Sequence, residues 1–333
     1  MKLEQLFIAG LGHFLPPPVS VQEAVADGRY DAKEAEETRL ESVLVAGSET
    51  PPDMAVHAAR NALAHSGLAP EEISLLLHAS VYYQGLDIHS TASYIQHTAL
   101  GGHSALALEV KGVSNGGMAS MELAASYLSA SPDRMAAMVT TADKFCPPGI
   151  DRWRCDTGMV FADGAAAMIL SRRKGFARVL SIASASDPWL EGLHRGQAPF
   201  SPAPVLVDVH QRKRDFLARV GLPEMLRRFR LGLRGSVERA LHDAGTALSG
   251  IARFVIPHVG YILLEREYFA ALELPEAATT WRWARRMGHM GGGDQIAGLA
   301  LLMEAGELRT GDRCMMMGVG AGFTWTCAVL ELV

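Results

Sequence analysis

Residues 108–120 read LEVKGVSNGGMAS. An apolar, strand-like run (SALALEV, 104–110) stops at Lys111, and a Gly-Val-Ser-Asn-Gly-Gly turn follows. A pattern at helical spacing then begins with Met118, Met121, Ala125 and Leu128. Ser114 therefore sits where a strand turns into a helix. Two roles fit it. It is either an N-cap that accepts from the first N–H groups of the helix, or a nucleophile. Gly112, Gly116 and Gly117 allow a tight backbone path and a close approach by substrate. The sharp turn of serine hydrolases uses the same logic, although the G-x-S-x-G pattern is absent. The helix N-terminus offers about 0.3–2 kcal/mol. That matters for a thiol of pKa about 8.5 but cannot ionise an alcohol. A nucleophilic Ser114 needs a general base and a group to orient that base.

Outward from this turn, helical and strand patterns alternate. The expected elements are a first strand in MKLEQLFIAGLGHFLP, helix 54–66, strand 73–80, helix 91–99, strand 104–110, helix 115–129, strand 135–141 and strand 165–171. This order predicts an α/β fold with a mostly parallel sheet. The second half repeats the plan. NALAHSGLAPEEISLLLHAS (61–80) and RALHDAGTALSGIARFVIPHVG (239–260) each carry Ala-Leu, a Gly four residues after the Leu and an Ile ten after it. VSNGGMASMELAASYL (113–128) and MGGGDQIAGLALLMEA (290–305) are both glycine-rich turns opening an amphipathic helix. Two similarities in the same order predict a duplicated βα unit, residues 1–174 and 175–333.

The bulk numbers bound the function. The chain has 333 residues, 49% hydrophobic and 20% charged, with a net charge of −5. That balance gives no case for nucleic acid or an anionic membrane. No window has the roughly 18 consecutive apolar residues of a membrane span. The N-terminal apolar run is too short and wrongly flanked for a signal peptide. The four cysteines lack metal-ligand spacing and read as ordinary thiols of a reducing cytoplasm. Between the copies, at about 185–235, lie Pro199, Pro202 and Pro204. A basic cluster follows them, including Arg212, Lys213, Arg214, Arg219, Arg227, Arg228, Arg230 and Arg234. Either it is a solvated amphipathic insertion, or it docks an acidic partner or a phosphate.

Of the 12 histidines, two lie in informative places. His258 follows the strand RFVIP (253–257), and His289 lies just past another strand-like run. Asp294 comes five residues later, after three glycines, at the start of a helix. Singly, each His reads as a buried ring and Asp294 as an N-cap. Together they place a His and an Asp on the turn of copy two that corresponds to the Ser-bearing turn of copy one. If the copies pack about a pseudo-two-fold axis, those turns meet.

These residues resemble the β-ketoacyl–carrier-protein synthase III (ketosynthase III) family of the thiolase superfamily, over nearly the whole chain. FADGAAAMIL (161–170) resembles its Gly-Asp-Gly-Ala segment, and IPHVG (256–260) its Pro-His segment. MGHMGGGDQIAGLAL (287–301) resembles its Gly-Asn segment, and GVGAGFTWTCAVLEL (318–332) its C-terminal glycine-rich loop and last strand. The resemblance implies a five-layered αβαβα thiolase fold and a homodimer. It implies no cofactor beyond the CoA or phosphopantetheine that carries the acyl group. It makes His258 the family's active-site histidine and puts an oxyanion hole at the backbone N–H groups of Ser114 and Ala321. The family uses Cys-His-Asn. This chain has Ser114 at the Cys position and His289 at the Asn position. The pair makes sense jointly, because an alcohol demands a base and Asn cannot accept a proton.

The expected activity is therefore that of an acyltransferase of secondary (polyketide or antibiotic) metabolism. Ser114 attacks an acyl–carrier protein or acyl-CoA thioester, His289 takes its proton and Asp294 orients His289. His258 assists at the acceptor or the thioester carbonyl. The acyl group then passes to a second carrier-protein thiol or to a hydroxyl. Arg212, Lys213, Arg214, Arg227 and Arg228 are expected to bind the carrier protein or CoA. The alternatives are a starter-unit ketosynthase and a catalytically inactive thiolase-fold partner subunit.

Overall fold

The computed structural model describes residues 1–197, 199–202 and 205–333, so Pro204 lies outside the described residues. Nine strands are hydrogen-bonded in one continuous order that falls into two halves, a first and a second sheet. The first contains β1 (Phe7–Phe14), β2 (Ile73–Ala79), β3 (Leu106–Val110), β4 (Ala136–Asp143) and β5 (Gly164–Ser171), in the order β3-β2-β4-β5-β1. The second contains β6 (Ala177–Ser186), β7 (Arg253–Val255), β8 (Arg313–Gly320) and β9 (Thr324–Leu332), in the order β6-β9-β8-β7. They join where Phe7 and Ile8 of β1 pair with Arg178 and Ala177 of β6, and the segment before β1 continues the contact through a Lys2–Ser181 bridge.

The two sheets share a wiring pattern. β4 lies parallel to β2 and antiparallel to β5, which is antiparallel to β1. Likewise β8 lies parallel to β7 and antiparallel to β9, which is antiparallel to β6. Where β3 stands in the first sheet, the second has a single parallel bridge between Phe254 and Thr279.

Helices fill three layers. α1 (Pro51–Ser66) lies on β1 and β5, with α2 (Thr91–Leu100) against it. α3 (Gly116–Ser129) and α7 (Asp294–Glu304) lie between the sheets and touch both, and α5 (Leu222–Ala244) covers β6 and β9. The result is the expected αβαβα stack. Every residue of β4 and β5 is buried. Strands covered by helices on both faces therefore read as continuous small and apolar runs, without alternation.

Two expectations are corrected. The strands are not mostly parallel: β3, β2 and β4 run parallel, as do β7 and β8, but β4–β5, β5–β1, β1–β6, β6–β9 and β9–β8 are antiparallel. β4 leads to β5 and β8 to β9 without a helical crossover that would return the chain to the same end. The run before His289 is a helix, α6 (Trp281–Met287), and not a strand. Thr and Trp favour strands by composition. Here Trp281, Ala284 and Met287 recur at helical spacing and are buried, while Arg282, Arg285 and Arg286 face outward to Glu307 and Glu41. Burying that stripe decides the local structure. The basic insertion is helical over most of its length, as α4 (Val209–Val220) and the first half of α5.

The two glycine-rich turns abut in the middle layer. A Cβ on Gly117 would lie 2.3 Å from the carbonyl oxygen of Gly292 and 3.2 Å from Thr141 Cγ2. Only a residue without a side chain lets the turns touch. Gly117→Ala is expected to cost about 1–3 kcal/mol, the usual cost of overpacking, seen as a lower urea midpoint. Gly235→Ala in α5 meets nothing within 4 Å. It is expected to raise the midpoint through the roughly 0.5–1 kcal/mol helical preference of Ala over Gly.

Candidate active site

Ser114 is presented by a strained turn. Val113, a β-branched residue, has φ 48°, in the left-handed region that such residues avoid. Residues Val113–Asn115 form one turn of 3₁₀-helix before α3 begins. Asn115, not Ser114, occupies the N-cap position, so the cap role does not consume the Ser114 hydroxyl. That hydroxyl lies 2.7 Å from His289 Nε2.

His289 is fixed from its backbone. Its N–H donates to the Val160 carbonyl at 2.9 Å, and its carbonyl accepts from Ala162 N at 2.8 Å. On the far side of the ring, Nδ1 lies 2.6 Å from Asp294 Oδ2. A carboxylate only accepts, so this contact puts the proton on Nδ1 and leaves Nε2 free to take one from Ser114. Asp294 also accepts from His258 N at 2.7 Å and Met290 N at 2.8 Å. It stands at the start of α7, where the helix dipole favours a negative charge.

Burial pulls the His289 pKa down, but the Asp294 charge and hydrogen bond outweigh it, and the net direction is up. For Asp294, burial pushes up, and the charges of His289 and His258 with the hydrogen bonds prevail in lowering it. The structure thus brings Ser114, His289 and Asp294 into one chain of contacts.

His258 adjoins this chain at Asp294. Its ring is fully buried beside Asp294, with Nδ1 3.6 Å from Oδ1, too long for a hydrogen bond. Both ring nitrogens lack partners among the described residues. Its neighbours Pro257 and Val259 line the cavity above Ser114.

That cavity encloses about 300 Å³. Ser114, His289 and Ala321 share its wall, which puts the two expected oxyanion residues on one surface. An aromatic row closes one side. Tyr82 stacks on Phe145 at 6.1 Å, Phe145 packs on Phe161 at 4.6 Å, and Phe161 packs on His289 at 5.5 Å. A second chamber of about 310 Å³ shares Met159, His194, Phe323 and other walls with the first. Lys213 and Arg214 line it.

The expected basic residues divide. Arg212 lines the inner cavity and donates to the His194 carbonyl at 3.2 Å. Lys213 pairs with Asp156 at 2.6 Å. Arg228 is held by Asp187 at 3.0 Å and Glu224 at 2.9 Å and stacks on Trp189 at 4.2 Å, so it serves the fold as much as any partner. Arg227 joins Arg230 and Arg234 along an outer groove on α5, next to Leu222, a residue the second chamber shares.

Sequence reasoning missed several residues here. Asp156, His194 and Gln295 line the cavity. Arg152 makes a buried two-point contact, both arms 2.9 Å, with Asp163, and Asp163 also accepts from Phe145 N at 2.8 Å. The Gly-Asp-Gly-Ala-like segment thereby fixes the aromatic wall. The signal for Asp163 was its place in that segment. Asp156 and His194 had none.

Comparison with known proteins agrees with the architecture. Residues 108–188 match 3-oxoacyl-[acyl-carrier-protein] synthase III, and residues 241–332 match the C-terminal part of the same enzyme. The chain is 27% identical over 331 residues to the β-ketoacyl-[acyl-carrier-protein] synthase III of Geobacillus kaustophilus, covering 97% of this chain and 98% of that one. It is 28% identical over 284 residues to the acetoacetyl CoA synthase NphT7 of a Streptomyces species, covering 84% and 83%. The solved structure of ChlB3, described as an acyltransferase, matches with a TM-score of 0.92 at 37% identity, covering 99% of this chain and 98% of that one.

A base must be neutral to take the Ser114 proton, so acylation is expected to rise with pH through the raised His289 pKa. The rising limb should lie above pH 6.5, the ordinary His value. Asp294→Asn removes the charge that opposes burial. The limb should move to lower pH while the rate falls, by up to about 10⁴-fold as for a triad acid. Single-turnover acylation rates across pH check both effects. A loss of less than about tenfold would return Asp294 to a capping role.

Proposed function

The chain belongs to the 3-oxoacyl-[acyl-carrier-protein] synthase III family of thiolase-fold proteins, and on that premise we propose that it transfers acyl groups instead of condensing them. The observation that carries this reading is the unbroken contact chain from Ser114 through His289 to Asp294. Ser114 Oγ attacks the thioester carbon and its proton passes to His289 Nε2. The tetrahedral oxygen faces the backbone N–H groups of Ser114 and Ala321. The C–S bond breaks, and the departing thiolate takes the proton from His289. An acceptor thiol or hydroxyl then repeats the sequence in reverse and carries the acyl group away, leaving free Ser114.

Condensation asks for something different. Decarboxylating a malonyl thioester needs fixed donors on its carbonyl oxygen as the enolate forms. His289 is engaged as a base, and the His258 ring is wholly buried beside Asp294. Neither is a standing donor there. The ChlB3 likeness, at 37% identity, favours the same side. A 300 Å³ cavity is at the small end of ligand sites, which suits a compact acyl group and not a long chain.

The donor arrives on an acyl carrier protein, as the names of the related synthases indicate for them. The groove of Arg227, Arg230 and Arg234 suits an acidic surface beside the second chamber, through which a phosphopantetheine arm reaches Ser114. The exposed Leu106 and Leu108 on edge strand β3 support pairing with a second copy. The pathway is one of secondary metabolism, in the cytoplasm.

Ser114→Ala is expected to abolish covalent acylation with the fold intact, and Ser114→Cys to keep part of it. Intact mass after exposure to a panel of acyl thioesters reads both. Acyl mass on Ser114→Ala would put the nucleophile elsewhere. With malonyl–carrier protein present, the wild-type protein should yield transfer products. A carrier-bound product extended by two carbons, formed as fast as transfer, would promote the ketosynthase reading. Ser114→Cys with His289→Asn should shift the balance toward extension. Arg227→Glu with Arg230→Glu should raise KM for carrier-bound donors and spare small soluble thioesters, and added salt should imitate it.

A further inference from the structure

Asp143 ends β4 and is fully buried. Its carboxylate collects two backbone donors from the segment after β2. Val81 N lies 2.9 and 3.0 Å from its two oxygens, and Tyr82 N donates to Oδ1 at 2.7 Å. Val81 and Tyr82 both line the acyl cavity. On its other side the carboxylate lies against the turn that carries the base. A Cβ on Gly291, two residues after His289, would fall 2.6 Å from Asp143 Oδ2 and 2.9 Å from Val81 Cγ2. A second route joins the same two parts, through the row of Tyr82, Phe145, Phe161 and His289. One buried acid thus touches the acyl wall and the base-bearing turn together.

The two N–H groups do not by themselves call for an acid. Oδ1 alone meets both, so the carbonyl of a neutral Asn would serve, without the cost of burying a charge. The second oxygen and the charge point to another use. Resting on the acyltransferase reading, we propose that Asp143 is a positioning residue: its carboxyl holds the acyl wall at Val81 and Tyr82 against the turn of His289, and its charge helps to keep His289 basic.

The charges around the base favour this assignment. His289 is faced by Asp294, Asp156 and Asp143, and by the rings of His258 and His194. Asp294 is bonded to the ring, and Asp156 is paired with Lys213. Among the described residues Asp143 is bonded only to backbone N–H groups, and the charged groups that face it are Lys111 and His289. Burial pushes its carboxyl up to about 7, against the pull of those N–H groups, Lys111 and His289. It therefore changes charge in the range where a base of raised pKa does so. When His289 takes the Ser114 proton, the imidazolium and the Asp143 carboxylate stabilise each other. Groups coupled in this way titrate together.

The test compares the wild type with Asp143→Asn, which keeps one acceptor oxygen and removes the charge, and with Asp143→Ala, which removes both. Single-turnover acylation by the N-acetylcysteamine thioesters of butanoic and octanoic acid is followed across pH. In both variants the rising limb should move to lower pH, by about half a unit or more, because His289 loses an anion. The butanoyl-to-octanoyl ratio should hold in Asp143→Asn and fall roughly 3-fold or more in Asp143→Ala, where the wall loses its acceptor. Each ratio is internal to one protein, so partial loss of folded material cancels. An unmoved limb in Asp143→Asn, or an unmoved ratio in Asp143→Ala, would overturn the proposal. Nitrogen-15 spectra of histidine-labelled protein read the same shift without chemistry, with the His289 signal assigned by its loss in His289→Asn. In the wild type that signal should titrate with a slope below one, as a coupled group does. A slope of one would overturn the proposal even if neither Asp143 variant folds. If Ser114 takes no acyl group while the His289 shift holds, the acyltransferase reading falls and the coupling of Asp143 to His289 stands.

Discussion

A carboxylate without access to water holds the candidate site together. Asp294, 1% exposed, survives as a charge only because three donors converge on it: His289 Nδ1, His258 N and Met290 N. An isolated buried carboxylate would neutralise itself, whereas this one is lowered in pKa by its partners. The donors come from two places, the segment after β7 and the turn before α7. Binding them to one anion fixes the second-half turn in space. Gly292 then meets Gly117 closely enough that no side chain fits, and Ser114 is carried to within 2.7 Å of the His289 ring. The geometry of the candidate site is thus a consequence of how one buried charge is satisfied.

The duplicated topology explains why the partners come from opposite halves. Each half delivers a glycine-rich turn to the N-terminus of a middle-layer helix, α3 or α7, and the two helices pack between the sheets. Two positive helix ends are brought into one region. One is used to hold the Asp294 charge, and the other stands behind Ser114. The cavity forms where the turns meet the aromatic row, and the Arg152–Asp163 pair braces that row from behind.

Much of this was legible in the sequence. Strand and helix limits matched because small and apolar runs in buried strands, and amphipathic spacing in helices, are local signals. The Ser, His and Asp were legible because the repeat set one glycine turn against the other. What failed was non-local. Residues 280–287 carry strand-favouring side chains, yet the burial of Trp281, Ala284 and Met287 on one face made a helix. The basic cluster read as one surface, but Lys213 and Arg228 found internal anions in Asp156 and Asp187, residues far off in the chain. Asp156 and His194 enter the cavity from separate segments, and no spacing rule connects them.

Four histidines with shifted pKa values provide an internal comparison that bears on the pairing of Ser114 with His289. Burial lowers His78 and His194 to about 4 and lowers His258 as well. His258 is instructive, since it lies beside the same carboxylate as His289 but makes no ring hydrogen bond to it. Only His289 is raised, and only its ring nitrogen bonds Asp294. A histidine dropped into the Asn position alone would therefore share the fate of the other three and be too weak a base to take a proton from an alcohol. A thiol, some four or more pKa units easier to ionise than a serine hydroxyl on the usual scale, could tolerate that. An alcohol could not. Ser114, His289 and Asp294 are thus one physical unit: the hydroxyl requires the imidazole, and the imidazole is basic at this depth only because the carboxylate is bonded to it.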